Sequence, residues 1–246
     1  MLRFDCRLQM APTTIRENLA HVREQIADSA SRARRNPDEI TLIGVSKTHP
    51  AEAIREAFEA GLRHFGENRV QEWEGKRGGI ADLAGATWHL IGHLQSNKAA
   101  KAAKLFHAID SVDDFALAQR LARATDETSS AAKLRLLIEV HLGGEETKSG
   151  VSEAGLPELA EKVKGLAELE LAGFMCIPPY LPDPEQVRPY FSRLRELRNQ
   201  MRARLGQPLP VLSMGMSHDF AAAILEGATE VRIGTAIFGV RSAVAK

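Results

Sequence analysis

A lysine closes the apolar, β-branched run of ITLIGVSKTHP, Ile40 to Pro50. A strand-end lysine either reaches water, the ordinary case, or acts as a nucleophile. The amine attacks a carbonyl only when deprotonated, and burial beside other cations lowers its pKa from about 10.4 by several units. Near the other end of the chain, EVRIGTAIFG offers Gly234, where a backbone can approach a ligand, and Thr235, which opens the next segment with N–H groups and a hydroxyl. SMGMS, Ser213 to Ser217, adds hydroxyls and a glycine. Arg232, two residues before Gly234, points to the same side of its strand, and a buried arginine needs an acceptor. A rim carboxylate such as Glu67 is one choice and a ligand is another. A phosphorylated aldehyde that sits in the cradle and condenses with Lys47 would unite these features. The residues alone leave two such ligands open: pyridoxal 5'-phosphate (PLP) held as a cofactor, or a sugar phosphate in a class I aldolase.

These residues need elements to bring them together. Short apolar runs read as strands at Ile40 to Ser46, His64 to Gly66, Thr87 to Gly92, His107 to Asp110, Leu134 to His141, Leu169 to Cys176, Pro210 to Met214 and Val231 to Gly234. Helical patterns separate them, among them PAEAIREAFEAG, SNKAAKAAKLF, SVDDFALAQRLARATDE, in which Ser111 and Asp114 resemble a capping box, and GLPELAEKVKGL. An earlier helix, Thr14 to Arg35, repeats Ile15, Leu19, Val22 and Ile26 on one face. About eight strand–helix alternations without a linker predict a parallel (β/α)8 TIM-type barrel, with an open doubly wound sheet as the alternative. In a barrel the chemistry belongs at the C-terminal ends of the strands. There the sequence sets Lys47, then Glu67 and Asn68, His93 and Gln95, Asp110, His141, MCIPP, SMGMS and RIGT.

The 246 residues carry 32 basic and 32 acidic side chains, so net charge gives no reason to expect nucleic acid or a membrane as partner. Any anion site must therefore be local. Cys6 and Cys176 have no metal-ligand spacing, and no run reaches the roughly 18 apolar residues of a spanning helix. The expectation is a cytoplasmic monomer with residues 1–12 as a loose extension, residues 13–246 as one barrel domain, and no metal. His64 and His89 read as satisfied barrel histidines. His218 either touches phosphate or faces solvent, and Lys148 of TKSG lies in a loop.

LIGVSKTHP, HFGENRVQE, WHLIGHLQSNKAA, ETKSGV, GFMCIPP, LSMGMSHDFAAAI and VRIGTAIFG, in this order and spacing, resemble the PLP homeostasis proteins of the YggS/PROSC family. The resemblance covers roughly Ile40 to Gly239. It implies a single barrel similar to the N-terminal domain of alanine racemase, without that enzyme's second domain. It further implies that Lys47 forms the aldimine with PLP and that Arg232 faces the pyridine nitrogen. Ser213, Gly234 and Thr235 would bind phosphate, Asn68 would line the pocket, and Met214 would pack beside the ring. His141 departs from the asparagine of many members, and the N-terminal extension has no counterpart.

The implied role is PLP (vitamin B6) homeostasis, with apoenzymes as recipients and no catalytic residues. A racemase-like PLP enzyme is the alternative. An arginine at the pyridine nitrogen makes a weaker electron sink than an acid would, and a two-base racemase needs a second acid/base. The chain's two tyrosines, Tyr180 and Tyr190, are not obvious candidates.

Overall fold

The computed structural model describes residues 14–127, 132–143 and 149–239. The expected N-terminal extension, Cys6 and Lys148 lie outside the described residues. Helix α1 (Ile15–Arg32) opens with a reciprocal capping box between Thr14 and Glu17 and buries Leu19, Val22 and Ile26. Then follow β1 (Thr41–Val45), α2 (Ala51–Glu59), β2 (His64–Glu67), α3 (Val70–Arg77), β3 (Thr87–Leu90), α4 (Ala99–Leu105), β4 (Ala108–Val112) and α5 (Phe115–Asp126). The second half runs β5 (Leu134–His141), β6 (Val151–Ser152), α6 (Leu156–Lys164), β7 (Leu169–Met175), α7 (Arg188–Leu205), β8 (Val211–Ser213), α8 (Phe220–Leu225), β9 (Glu230–Ile233) and α9 (Thr235–Phe238).

All these strands pair in parallel, in the order β4-β3-β2-β1-β9-β8-β7-β5, and the β4–β5 pairing closes the ring. The two-residue β6 attaches only to the end of β5. This is the barrel the alternation predicts, and the open sheet is excluded by its closure. Because each strand faces the interior on one side and helices on the other, the strands read as nearly continuous apolar runs. Gly173 is required where β7 meets β8, since a Cβ there would lie 2.0 Å from the Val211 carbonyl oxygen.

One local expectation differs from the structure, and one helix carries no clear pattern in the sequence. Ser111 belongs to β4 and donates its hydroxyl to the Gly92 carbonyl at 2.7 Å, so Asp114 alone caps α5, accepting from the Leu117 N–H. Helix α3 is weakly marked, because VQEWEGKR buries only Val70 and Trp73 and includes a glycine.

The floor of the barrel is ionic, and Asp110, expected at the rim, belongs to it because β4 runs on to Val112. His89 Nδ1 lies 2.9 Å from Asp110 Oδ2 and its Nε2 3.0 Å from His64 Nδ1, while Arg135 donates to Glu230 at 2.5 Å. Both ring nitrogens of His89 thus have a partner, and the tautomer sets which of His64 and His89 donates to the other. The two histidines are satisfied barrel residues, as their sequence context suggests.

Candidate functional site

Four neighbouring strands, β8-β9-β1-β2, gather the residues that the sequence singles out. Ile43 of β1 is in register with Arg232 of β9, and Gly44 with Ile233, so Gly234 follows beside Val45. A Cβ on Gly234 would meet Val45 only at ordinary contact distance, 3.5 Å, so close packing within the barrel does not demand glycine here. Thr235 opens α9 just beyond. The rings of His49 and Phe238 stack at 5.0 Å, which joins the turn after β1 to α9. Lys47 is half-buried in that turn.

Arg232 is 3% exposed and is held by neutral partners. It donates from Nη1 to the Ser213 hydroxyl at 2.7 Å and from Nη2 to the Cys176 carbonyl at 2.8 Å. The carboxylate pairing with Glu67 considered from the sequence does not form. Glu67 instead takes the Lys76 ammonium at 3.1 Å and the Ser46 hydroxyl at 2.7 Å. Burial pushes the Glu67 carboxyl above its ordinary value, and Lys76 and Ser46 pull against that shift. The buried guanidinium is thus oriented without a carboxylate in direct contact among the described residues.

The SMGMS segment divides between two jobs. Ser213, expected to bind phosphate, is fully buried with its hydroxyl accepting from Arg232, whereas the Ser217 hydroxyl lies 3.4 Å from the Ala236 N–H, at the start of α9. Met214 is fully buried in the apolar cluster that contains Leu212, Phe220 and Ile224. Gly215 takes φ 96°, and a Cβ there would lie 2.7 Å from that of Ala223, so only glycine fits this bend. Its carbonyl accepts the Arg232 N–H at 2.9 Å.

On the other side of Lys47, Asn68 lines a cleft of about 520 Å³ with Arg69, Gln71, His93, Gln95 and Lys98. Gly92 permits the close approach of β3 to this point, since a Cβ would lie 2.6 Å from the Asn68 carbonyl oxygen.

Other polar residues fall outside this group. His218 is exposed, lies 3.0 Å from the Leu181 carbonyl and meets the ring of Tyr180, itself 74% exposed, at a tilt of 37°. Tyr190 sits on α7, packed against the core. Burial pushes the Cys176 thiol up to about 12, so it is an inert packing group. Glu139, near the end of β5, accepts from the Ser149 hydroxyl at 3.1 Å, and burial raises its carboxyl pKa. On the floor, His89, Asp110 and Glu230 bring ligand-type atoms within 4.8 Å of one another. The Arg135 guanidinium already lies against both carboxylates, 2.5 Å from Glu230 and 3.7 Å from Asp110, so the balancing cation belongs to the chain itself.

Sequence reasoning passed over Lys76, Glu72 and the separate position of Ser217. Of these, the i,i+4 spacing of Glu72 and Lys76 was visible once α3 is granted.

Comparison with known proteins defines the class first. Residues 17–242 match the family model described as alanine racemase, N-terminal domain. Alanine racemase of Clostridium difficile 630 shares the barrel, with TM-score 0.69 at 14% identity over 91% of this chain and 56% of that one. Closer relatives are more specific. The chain is 46% identical over 225 residues to the pyridoxal phosphate homeostasis protein of Aquifex aeolicus, covering 92% of this chain and 97% of the relative. Against the protein of the same name from Escherichia coli K12 the identity is 43% over 235 residues, covering 92% and 97%. The structure of PipY from Synechococcus elongatus PCC7942 with PLP bound superposes with TM-score 0.82 at 40% identity, covering 92% of this chain and all of that one. The chain therefore belongs to the pyridoxal phosphate homeostasis protein family, the family of YggS and PROSC.

Proposed function

We propose that this protein binds PLP reversibly through Lys47, keeps the free cofactor low in the cytoplasm, and passes it to PLP-dependent apoenzymes without robust catalysis of its own. In this reading the barrel works as a monomer. The names of its relatives and the PLP complex of PipY support the ligand. The observation that carries the reading is Arg232: a guanidinium 3% exposed, fixed by Ser213 and the Cys176 carbonyl rather than by a carboxylate, on the strand beside that of Lys47. Such a cation suits a neutral ring nitrogen as acceptor.

When bound, PLP would supply an aldehyde for the Lys47 amine to condense with, releasing water. Gly234 and Thr235 receive the phosphate, with the Ser217 hydroxyl beside them. Ser213 orients Arg232, and Asn68 lines the pocket on the β2 side. Met214 contributes through packing behind the site. Arg232 leaves the ring a poor electron sink, which favours holding and releasing the cofactor over turning over an amino acid.

The test is visible absorbance of the purified protein with PLP, followed by borohydride reduction and peptide mapping. One equivalent fixed on the Lys47 peptide is expected, and Lys47→Ala should lose it while retaining weaker phosphate-dependent binding. A full covalent equivalent on Lys47→Ala would refute the assignment of Lys47.

A further inference from the structure

The turn that carries Lys47 is held from the neighbouring βα unit. Ser46 to His49 form a four-residue turn, closed by the His49 N–H to the Ser46 carbonyl at 3.1 Å, with Lys47 second and Thr48 third. Thr48 has φ 66°, a conformation that the third turn position ordinarily gives to Gly or Asn and that a β-branched residue rarely adopts. Its N–H is donated to Glu72 of α3, and Glu72 is fixed by Lys76 Nζ at 2.6 Å. The same ammonium donates to the Ser46 carbonyl at 3.0 Å and to the Glu67 carboxylate at 3.1 and 3.2 Å. Glu67 in turn accepts the Ser46 hydroxyl. Both neighbours of Lys47 are thus tied to one cation, 12% exposed, on α3.

Helix α3 has apolar anchors besides this cluster. Val70 and Trp73 anchor it, and the Trp73 ring packs on Trp88 at 3.9 Å and on Phe106 at 6.1 Å. The polar bonds are spent on the turn.

We propose that Lys76 and Glu72 are positioning residues for the Lys47 amine, holding its turn in the left-handed geometry that presents the amine to PLP. This rests on the reading of Lys47 given above. Without the clamp, Thr48 relaxes out of its unfavourable φ and the amine moves with it. Small misplacements of a reacting group lower rates by up to about 100-fold.

Glu72→Ala is the sharpest probe, because Lys76 still neutralises Glu67 in that variant. The rate at which PLP becomes borohydride-fixable on Lys47 is expected to fall roughly 10–100-fold, with the melting temperature little changed. Hydrogen exchange at residues 47–49, measured without PLP, is expected to quicken. Adding Thr48→Gly should restore most of the capture rate, since glycine takes the positive φ without help. Lys76→Met should match or exceed the Glu72→Ala loss. Capture at the wild-type rate in Glu72→Ala, or no recovery in the double variant, would overturn the proposal. Should the wild-type protein fix no PLP on Lys47, the reading of Lys47 fails instead. Unchanged exchange at residues 47–49 in Glu72→Ala would then overturn the clamp separately.

Discussion

Two ionic clusters among the described residues, one on the barrel floor and one at its mouth, differ in what they join. On the floor, His64, His89, Asp110, Arg135 and Glu230 come from five different strands and connect rigid sheet to rigid sheet. At the mouth, Glu67 and Lys76, with Glu72, connect the end of β2 and helix α3 to a turn. Burial pushes Asp110 upward, but His89, Arg135 and Arg232 outweigh it and hold the carboxyl below its ordinary value. Burial and the Asp110 charge together raise Glu230. The floor therefore works by mutual neutralisation inside the sheet, so losing one member exposes the others. The mouth cluster restrains a loop whose conformation would otherwise drift. Stability should be concentrated below and ligand capture above.

The largest effect is expected on the floor. Arg135→Met strands Glu230 and weakens the balance at Asp110, and should destabilise the protein by about 3–5 kcal/mol, the usual result of removing one partner of a buried pair. Adding Glu230→Met should recover most of that loss, because an apolar pair leaves no uncompensated charge there. Chemical denaturation of both variants measures this. Equal stability of the single and double variants would mean that the pair is not coupled. Arg232→Gln, at the level between the clusters, should be milder. It weakens bonds to Ser213 and the Cys176 carbonyl, at about 1–3 kcal/mol for buried groups left unsatisfied, and PLP retention in equilibrium dialysis should fall more than stability does. A variant that loses stability but retains PLP fully would place Arg232 with the floor.

The contrast also explains what the sequence made legible. The strand rhythm and the rim residues are local patterns, and Leu134 to His141 matches β5 residue for residue. Lys47, Arg232, Gly234 and Thr235 stand out because polar groups at the ends of apolar runs are visible without a fold. The clusters depend on register. Arg135 meets Glu230 across 95 residues, and nothing in RLLIE or TEVRI signals the pairing. The clamp was hidden for a different reason: α3 has only two buried positions to mark it, and a threonine at positive φ is contrary to the propensity that sequence reading uses. Ser111 reads as a cap because a serine three residues before an aspartate looks the same whether it ends a strand or starts a helix.

The smallest expected effect sharpens the floor further. His64 is half-buried at the bottom of the barrel, where burial first, then the charges of His89 and Arg135, lower its pKa from 6.5 to about 4. The folded protein thus keeps His64 neutral where the unfolded chain would bind a proton. The sign follows: this contribution is fully present above about pH 6.5 and is lost as the pH falls toward about 4, because protons favour the unfolded state across that window. His64 is partly open to solvent, which screens the effect, so a drop of a few degrees in Tm between pH 7 and pH 5 is expected. His107, lowered in the same direction by burial, adds to the slope. His64→Gln preserves a donor toward His89 and removes the titrating group, so its Tm should vary less over this range than that of the wild type. An unchanged slope in His64→Gln would assign the acid sensitivity to the remaining groups and leave the histidine pair with a packing role alone.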